Sequence, residues 1–556
     1  MAKFAHLPKN FCQSLFKFYE NLANLFVNLC DLIYNKNMKG LFLLILSFMF
    51  LGGAVSSSAF FINNGLQVTE TNRGGEFTTS ENENLDDVTA SAPTNDEYWT
   101  DSGNYATSFA GGSGTESDPY LIETPQQLAY LSYLIDDSSS YSTYYLGKYY
   151  EQTANLDMSA YWWNPIGKRH SFCSIYDGNN YTISGIYTKA GTTADYSYQG
   201  LFAEIRSNSA RINYVHIINS DIQGYNYVGG IAGYMAYGAY ISNCSMSGSV
   251  SGINYVGGIV GDGSQEGKLT SVAISISNCY NDATISGRQY VGGIAGGFTV
   301  IYTYLKAIYN CFNLGNITAS YSHVGGIVGS ASGNSANSDI EISDCYNRGN
   351  VTCEGNFVGG IVGLTQEMLI CTCYNTGIIT GSEPYSIAGE AFRGEINSCF
   401  SAGSSLDMVP SGGYMLSTGD LYIDENYENC LNIDWYTNES NWYYEWDFDG
   451  TWAIDSSIND GLPYLIDVHA SMVVTITYHP NGASGSEVVE SKVGNASYTI
   501  RSNMFSRSGY NFTGWNTQAN GGGTSYSAGS SYSELANLDL YAQWSRITYT
   551  IKYNKN

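Results

Sequence analysis

The chain has 556 residues, with 50 acidic against 23 basic side chains and a formal net charge of −27. Apolar residues make up 43% and charged residues only 13%, which is ample material for several hydrophobic cores. So acidic a balance excludes recognition of nucleic acid by phosphate neutralisation and disfavours adsorption to anionic lipid.

Near the N-terminus, Lys39 precedes the apolar run Leu41–Leu51, and the small-residue stretch Gly52–Ala59 follows. A basic residue, a short apolar core and a small-residue end predict a secretory signal cleaved after Ala59, so contact with a membrane is expected only through this segment. The alternative is an uncleaved anchor, because residues 40–61 just suffice to span a bilayer. Upstream, Phe11, Leu15, Phe18, Leu22, Leu25, Leu29 and Leu32 fall on one helical stripe, and Met38-Lys39 is the more ordinary start for a signal. Residues 1–59 are therefore an N-terminal extension plus signal peptide. Residues 60–108 are rich in Ser, Thr, Asn, Asp and Glu, carry Arg73 as their one basic residue, and read as an acidic flexible linker.

From residue 109 the sequence becomes periodic. A Val-Gly-Gly-Ile-(Ala/Val)-Gly phrase begins at Val228, Val256, Val291, Val324 and Val358, in steps of 28, 35, 33 and 34 residues. A second phrase centred on a cysteine travels with it, at Cys244, Cys279, Cys311, Cys345 and Cys373, with a fainter copy at Cys399. Its fuller form is Asn-Cys-Tyr/Phe-Asn. Short runs such as Ala283–Gly287 and Gly349–Thr352 follow. A fixed period of this size signals a stacked solenoid. Each unit is predicted to hold three short β-runs separated by Gly and Asn, which accept the positive φ of tight corners. From ladder Cys to next Val the distance is 12 or 13 residues, whereas from Val to next Cys it ranges from 15 to 23. One half of every coil is thus fixed in length. The other absorbs insertions, among them 262–273 and 330–339, which are expected as loops along one side.

These phrases resemble the GLUG repeat of bacterial surface proteins, and Gly200-Leu201-Phe202-Ala203 looks like a first, imperfect copy. Upstream, Gly114–Leu128 reads as an opening strand and then a helix, with Thr124 as N-cap, Pro125 at N1 and Gln127 closing a capping box. Trp163–Gly167, Phe172 and Tyr176–Ile186 fit the early coils, and Asn459–Leu465 closes the region. The resemblance covers 109–466 and implies a right-handed parallel β-helix, the hand that parallel crossovers prefer.

Twelve cysteines in an exported chain raise the prospect of disulfides. For the six ladder positions the simpler reading is a file of small, packed, free thiols. Coil spacing of about 4.8 Å permits bonding between neighbours without requiring it. Cys371 and Cys373 form a lone C-x-C pair without further ligands, so no metal site is expected. The 49 tyrosines open two readings: rings stacked along the core or its edge, or an exposed aromatic strip that stacks on sugars.

After Asp467 the composition changes. Val473–His479 reads as a strand, and the segments Gly509–Trp515 and Asp539–Trp544 follow. Together, Gly-Tyr-x-Phe-x-Gly-Trp and Leu-Tyr-Ala-x-Trp resemble the Listeria–Bacteroides repeat, the B-repeat of internalin-like surface proteins. That resemblance implies a small β-grasp-like module over 467–545. Phe512, Trp515, Tyr541 and Trp544 are its expected core. Residues 546–556 repeat the module's opening strand and read as the start of a further copy.

No stacked carboxylates, His-Glu-x-x-His, serine elbow or phosphate-cradling loop stands out. Between 224 and 364 no acidic residue recurs at the same repeat position, apart from Asp344, which replaces the Asn before a ladder Cys. The expected fold class is mainly β, a right-handed parallel solenoid followed by a small β-grasp-like domain. The expected function is that of a non-catalytic, secreted or cell-surface protein of adhesin type. It would need no cofactor, and its partner would be a host or cell-surface protein or glycan. A polysaccharide-acting β-helix enzyme and an inert surface-layer stalk are the alternatives.

Overall fold

The computed structural model describes residues 92–556 except 138–145, 266–273, 301–304, 334–339, 404–405, 411–416, 425–428, 439–443, 457, 471, 494–497, 533–536, 550–551 and 553–556. The extension, Ala59, most of the linker and residues 266–273 and 334–339 of the expected insertions therefore lie outside the described residues, whereas residues 262–264 and 330–332, expected as loop, belong to the strands Val260–Ser264 and Val328–Ser332.

Among the described residues strands dominate, at 48% against 7% helix, and the centre is a parallel β-solenoid of about seven turns. The coil from Tyr240 to Ser264 shows the plan. Its strands are β1 (Tyr240–Ser242), β2 (Ser245–Ser251), β3 (Asn254–Gly257) and β4 (Val260–Ser264). Each pairs in parallel with its counterparts one coil before and one coil after. Four strands per coil replace the three expected, because the Val-Gly-Gly-Ile phrase does not form one run. Its Gly-Gly step turns the chain from β3 into β4, which belongs to a separate seven-stranded sheet.

Stacking in register turns sequence phrases into rows. Val228, Val256, Val291, Val324 and Val358 sit directly above one another. Ile212, Ile241, Ile276, Ile308, Ile342, Ile370 and Ile396 form a second row. Both rows are fully buried. The six ladder cysteines are buried, free and in file, and each sulfur lies 3.1–3.2 Å from the carbonyl oxygen two residues earlier. Burial pushes the thiols of Cys244, Cys311 and Cys373 well up, which favours the uncharged S–H donor.

The Asn of Asn-Cys is explained by its backbone. Asn243, Asn278, Asn310, Asp344, Thr372 and Ser398 all adopt φ between 49° and 54°, the left-handed region that Asn and Asp tolerate best. The Asn after the aromatic residue serves differently. Asn281, Asn313, Asn347 and Asn375 form an interior ladder, each Nδ2 donating to the next Oδ1 at 2.7–2.8 Å. The glycines of Val-Gly-Gly do not have positive φ, contrary to the corner argument above; they are there for space. A Cβ at Gly293 would lie 2.3 Å from Gly326 O and 2.4 Å from Asn313 Cγ, so the second glycine makes room for the amide ladder.

The solenoid's N-terminal end is closed by α1 (Pro125–Asp136), with the Thr124/Gln127 capping box and Pro125 in the expected places. Leu128, Leu131 and Ile135 join the solenoid core from this helix. At the other end Met408 packs on the same core and accepts backbone hydrogen bonds from Ile387 and Ala388.

The C-terminal module is a five-stranded mixed sheet in the order β6-β5-β9-β7-β8. Its strands are β5 (Val473–His479), β6 (Val488–Val493), β7 (Tyr510–Asn516), β8 (Ser525–Tyr526) and β9 (Leu538–Arg546). Trp515 is its buried centre, with Phe512 and Trp544 packed partly buried against it. Tyr541 departs from expectation. On β9 the residues Leu538, Leu540 and Ala542 point inward, so alternation puts Tyr541 on the opposite face. There it stacks on His479 at 4.2 Å, and His479 bonds Asp539 at 2.9 Å and Glu487.

Candidate functional site

Two aromatic rows run along the solenoid, and they have opposite fates. The first comes from the Asn-Cys-Tyr/Phe-Asn phrase. Tyr280, Phe312, Tyr346, Tyr374 and Phe400 stack face to face with centroids 4.7–5.1 Å apart. All five are buried, because Cys430, Tyr436, Trp446, Trp452, Leu462 and Val468 pack over them as a clamp.

The clamp contains α2 (Ile433–Tyr436), α3 (Ile466–Ala470), Trp446 and Trp452. Its closing phrase makes the polar contacts. Asn459 and Asp460 at φ 53° and 57° form a tight turn, from which Asn459 Nδ2 donates to the Tyr374 hydroxyl at 2.7 Å. That hydroxyl in turn donates to Pro463 O at 2.6 Å. Arg348 reaches out of the solenoid to Asn459 at 2.6 Å and pairs with Asp460. His469 lies 3.3 Å from the Tyr346 hydroxyl and stacks on Phe312 at 5.0 Å.

Asp344 anchors the clamp's other side. Its carboxylate accepts from Lys306 at 2.9 Å, Thr372 at 2.8 Å and Trp452 Nε1 at 3.2 Å. Burial pulls the Lys306 ammonium down, but Asp344 and Glu341 outweigh it and hold the amine above its ordinary range. Asp344 is thus a structural anchor. Of the other acidic residues in this stretch, Asp282 and Glu354 are exposed, and Glu266 and Asp339 lie outside the described residues.

The second row comes from the residue before each Val-Gly-Gly and from Tyr198, which precedes Gln199 in register with Val228. Tyr198, Tyr227, Tyr255 and Tyr290 stack, and His323 and Phe357 continue the row with tilted rings, all with centroids 4.6–5.0 Å apart. Every one has a left-handed backbone, φ 56–61°. A bulky residue there costs about 1–2 kcal/mol relative to the right-handed form. Each stacked pair returns roughly 0.5–1.5 kcal/mol beyond simple burial, which offsets that strain. Unlike the first row, this one stays on the surface: Tyr198 is 39% exposed and the others are half-buried. Beside it runs a polar row in register, Asn226, Asn254, Gln289, Ser322 and Asn356. Partial burial, followed by the Asp262 carboxylate, pushes the Tyr255 hydroxyl up to about 12. The faces of the inner rings are taken by their neighbours. The stacked tyrosines therefore offer ring edges, phenol hydroxyls and neighbouring amides.

Two histidines are buried and neutral. His216, enclosed by Ser245 at 2.9 Å and Asn180 at 3.3 Å, is lowered by burial to about 4. His469 in the clamp is lowered to about 4, mainly by burial. Among the described residues, no group of three His, Cys, Asp or Glu could hold a metal ion, and no helix is long and apolar enough to cross a membrane.

Comparison with known proteins gives three likenesses. Residues 475–543 match the Listeria-Bacteroides repeat domain family, over the five-stranded module described above. Over 547 aligned positions the chain is 26% identical to a protein of Evansella cellulosilytica, provisionally described as a Gly-rich membrane protein. That match takes in 81% of this chain and 56% of the relative, so the chain spans little more than half of the relative's length. A crystal structure from Bacteroides ovatus, provisionally described as an immunoglobulin A1 protease, aligns over 65% of this chain and 95% of its own, with a TM-score of 0.39 and 19% identity.

Proposed function

We propose that this is a non-catalytic surface protein of adhesin type. The solenoid holds out a continuous face that binds a protein or glycan of a host or neighbouring cell, and the C-terminal module acts as spacer or accessory binder. The half-exposed row from Tyr198 to Phe357 carries this reading. An equally regular row a few residues away is sealed by a dedicated clamp, so a chain able to bury such a row leaves this one open along five coil-to-coil steps. A rigid file of hydroxyls and amides suits a repetitive, polar partner. The matched repeat family, the membrane-protein description of the Evansella relative and the resemblance to GLUG-repeat surface proteins all support placement at the cell envelope.

The test is binding of the labelled full-length chain to glycan and cell-surface protein arrays. It is compared with the variant Tyr227→Asn/Tyr255→Asn/Tyr290→Asn, since Asn keeps the left-handed corner. Loss of the bound spots at unchanged circular dichroism supports the reading, and identical array profiles overturn it.

A further inference from the structure

A separate concave site lies at the N-terminal cap, well before the outer strip in sequence. The arm 106–112 crosses α1 and pairs with the opening strand Tyr120–Ile122. Ala106 N donates to Gln126 O at 2.9 Å, Ala110 N to Leu121 O at 3.0 Å, and Leu121 N to Gly111 O at 3.0 Å. Gly112 makes this path possible, with φ at 85° and a position where a Cβ would fall 1.7 Å from Pro119 O. Between arm and helix is a cleft of about 270 Å³, walled by Phe109, Tyr120 and Tyr130 and rimmed by Thr107 and Ser108. The rings brace one another, Phe109 lying 4.8 Å from Tyr120 and 5.2 Å from Tyr130.

Three features define what fits. No lining side chain is charged. The walls are aromatic, and the hydroxyls of Thr107, Ser108, Tyr120 and Tyr130 have no hydrogen-bond partner within the described protein. The volume is below that of sites for drug-sized ligands, roughly 300–1,000 Å³. A neutral, ring-sized molecule with an apolar face and a hydroxyl rim meets all three. We propose that this cleft holds one neutral sugar ring, the terminal residue of a glycan whose remainder stays in solvent. The hydrogen-bonded arm presets the site, so little ordering cost is left for binding. This goes beyond the reading of the outer strip and stands apart from it, since the two use different residues.

The experiment titrates the full-length protein with neutral methyl hexopyranosides (gluco, galacto and manno) and with methyl glucuronide, by ligand-observed NMR. Saturable binding of at least one neutral glycoside is expected, with a Kd on the order of 1–10 mM, as for a single small ring. Tyr130→Phe and Thr107→Ala, both mild changes on the rim, are each expected to weaken it about 5-fold. Tyr227→Asn on the outer strip is expected to leave it unchanged. Absence of saturable binding by every neutral glycoside overturns the proposal. So does binding that Tyr130→Phe and Thr107→Ala leave untouched, or a preference for the glucuronide.

Discussion

Trp452 donates its indole N–H to the Asp344 carboxylate across 3.2 Å, joining residues 108 positions apart and fixing the clamp to the solenoid wall. Asp344 sits at φ 53°, where its counterparts in three other coils are Asn. Asp344→Asn is therefore expected to be mild. It keeps the corner and an acceptor for Trp452, and it unpairs a lysine that is already 48% exposed, at a cost of about 1 kcal/mol. Asp344→Ala removes the acceptor of Lys306, Thr372 and Trp452 together and puts Ala in a left-handed turn, and about 3–4 kcal/mol is expected. Urea unfolding of the two variants checks this; equal costs would show that the corner and the Trp452 bond do not matter.

Acid is expected to loosen the fold through His216 and His469. Both are neutral when folded and are lowered to about 4 by burial, while the unfolded chain protonates near 6.5. Between those values the unfolded state binds more protons, so stability falls as pH drops from about 6.5 to 4. Each histidine accounts for at most about 3 kcal/mol of the loss. Carboxylates titrate in the same window, so the informative quantity is a difference. His469→Phe should flatten the drop in urea midpoint between pH 7 and pH 4.5, read by the fluorescence of Trp446 and Trp452. An unchanged slope would mean that His469 stays uncharged in both states or is not enclosed.

Much of this architecture was legible in the residues themselves. The even spacing of Val228 to Val358 anticipates stacked rows, because only a constant coil length returns one residue type to one place. Thr124, Pro125 and Gln127 mark the start of α1 by local chemistry alone. The clamp was not legible. Its aromatic residues, Tyr436, Trp446 and Trp452, have no period, and their partners lie up to a hundred residues away. For the same reason the two aromatic rows look equivalent in sequence, although only one is covered. Tyr541 falls outside the core because alternation along β9 gives the inward places to Leu538, Leu540 and Ala542, a detail that a motif match does not carry. The candidate site was half visible, since the repeated aromatic before Val-Gly-Gly was evident, but its left-handed corner and outward stack were not.

That corner makes an unusual prediction. At Tyr255 the ring stacks on Tyr227 at 5.0 Å and on Tyr290 at 4.6 Å, and φ is 58°. Tyr255→Ala loses both stacks and retains the backbone strain, so a loss of about 2–3 kcal/mol is expected. Tyr255→Gly loses the same stacks but relieves the strain, and is expected to be about 1 kcal/mol less costly than Ala. In an ordinary strand the order is reversed. Thermal or urea unfolding of the pair settles it, and a costlier glycine would contradict the left-handed assignment.

The glycine and asparagine rows are expected to depend on each other. Asn313 Nδ2 bonds Asn347 Oδ1 at 2.8 Å and Gly315 O at 2.8 Å, while its Oδ1 accepts from Asn281 at 2.7 Å. Asn313→Ala leaves buried amides on either side partly unpaired, at about 2–3 kcal/mol. Gly293→Ala drives a methyl against the Asn313 side chain and against the Gly326 carbonyl, at 2.4 and 2.3 Å, and is expected to cost more than 3 kcal/mol. Shortening Asn313 removes the 2.4 Å contact with its Cγ, but it leaves the Asn313 Cβ at 2.6 Å and the Gly326 carbonyl, which is backbone and cannot retreat. The double variant should therefore be less destabilised than the sum of the singles by about 1 kcal/mol, but still worse than Asn313→Ala alone. Strict additivity would place Gly293 away from the ladder. Full rescue would mean that the coil-to-coil approach at Gly326 is looser than a solenoid with this register allows.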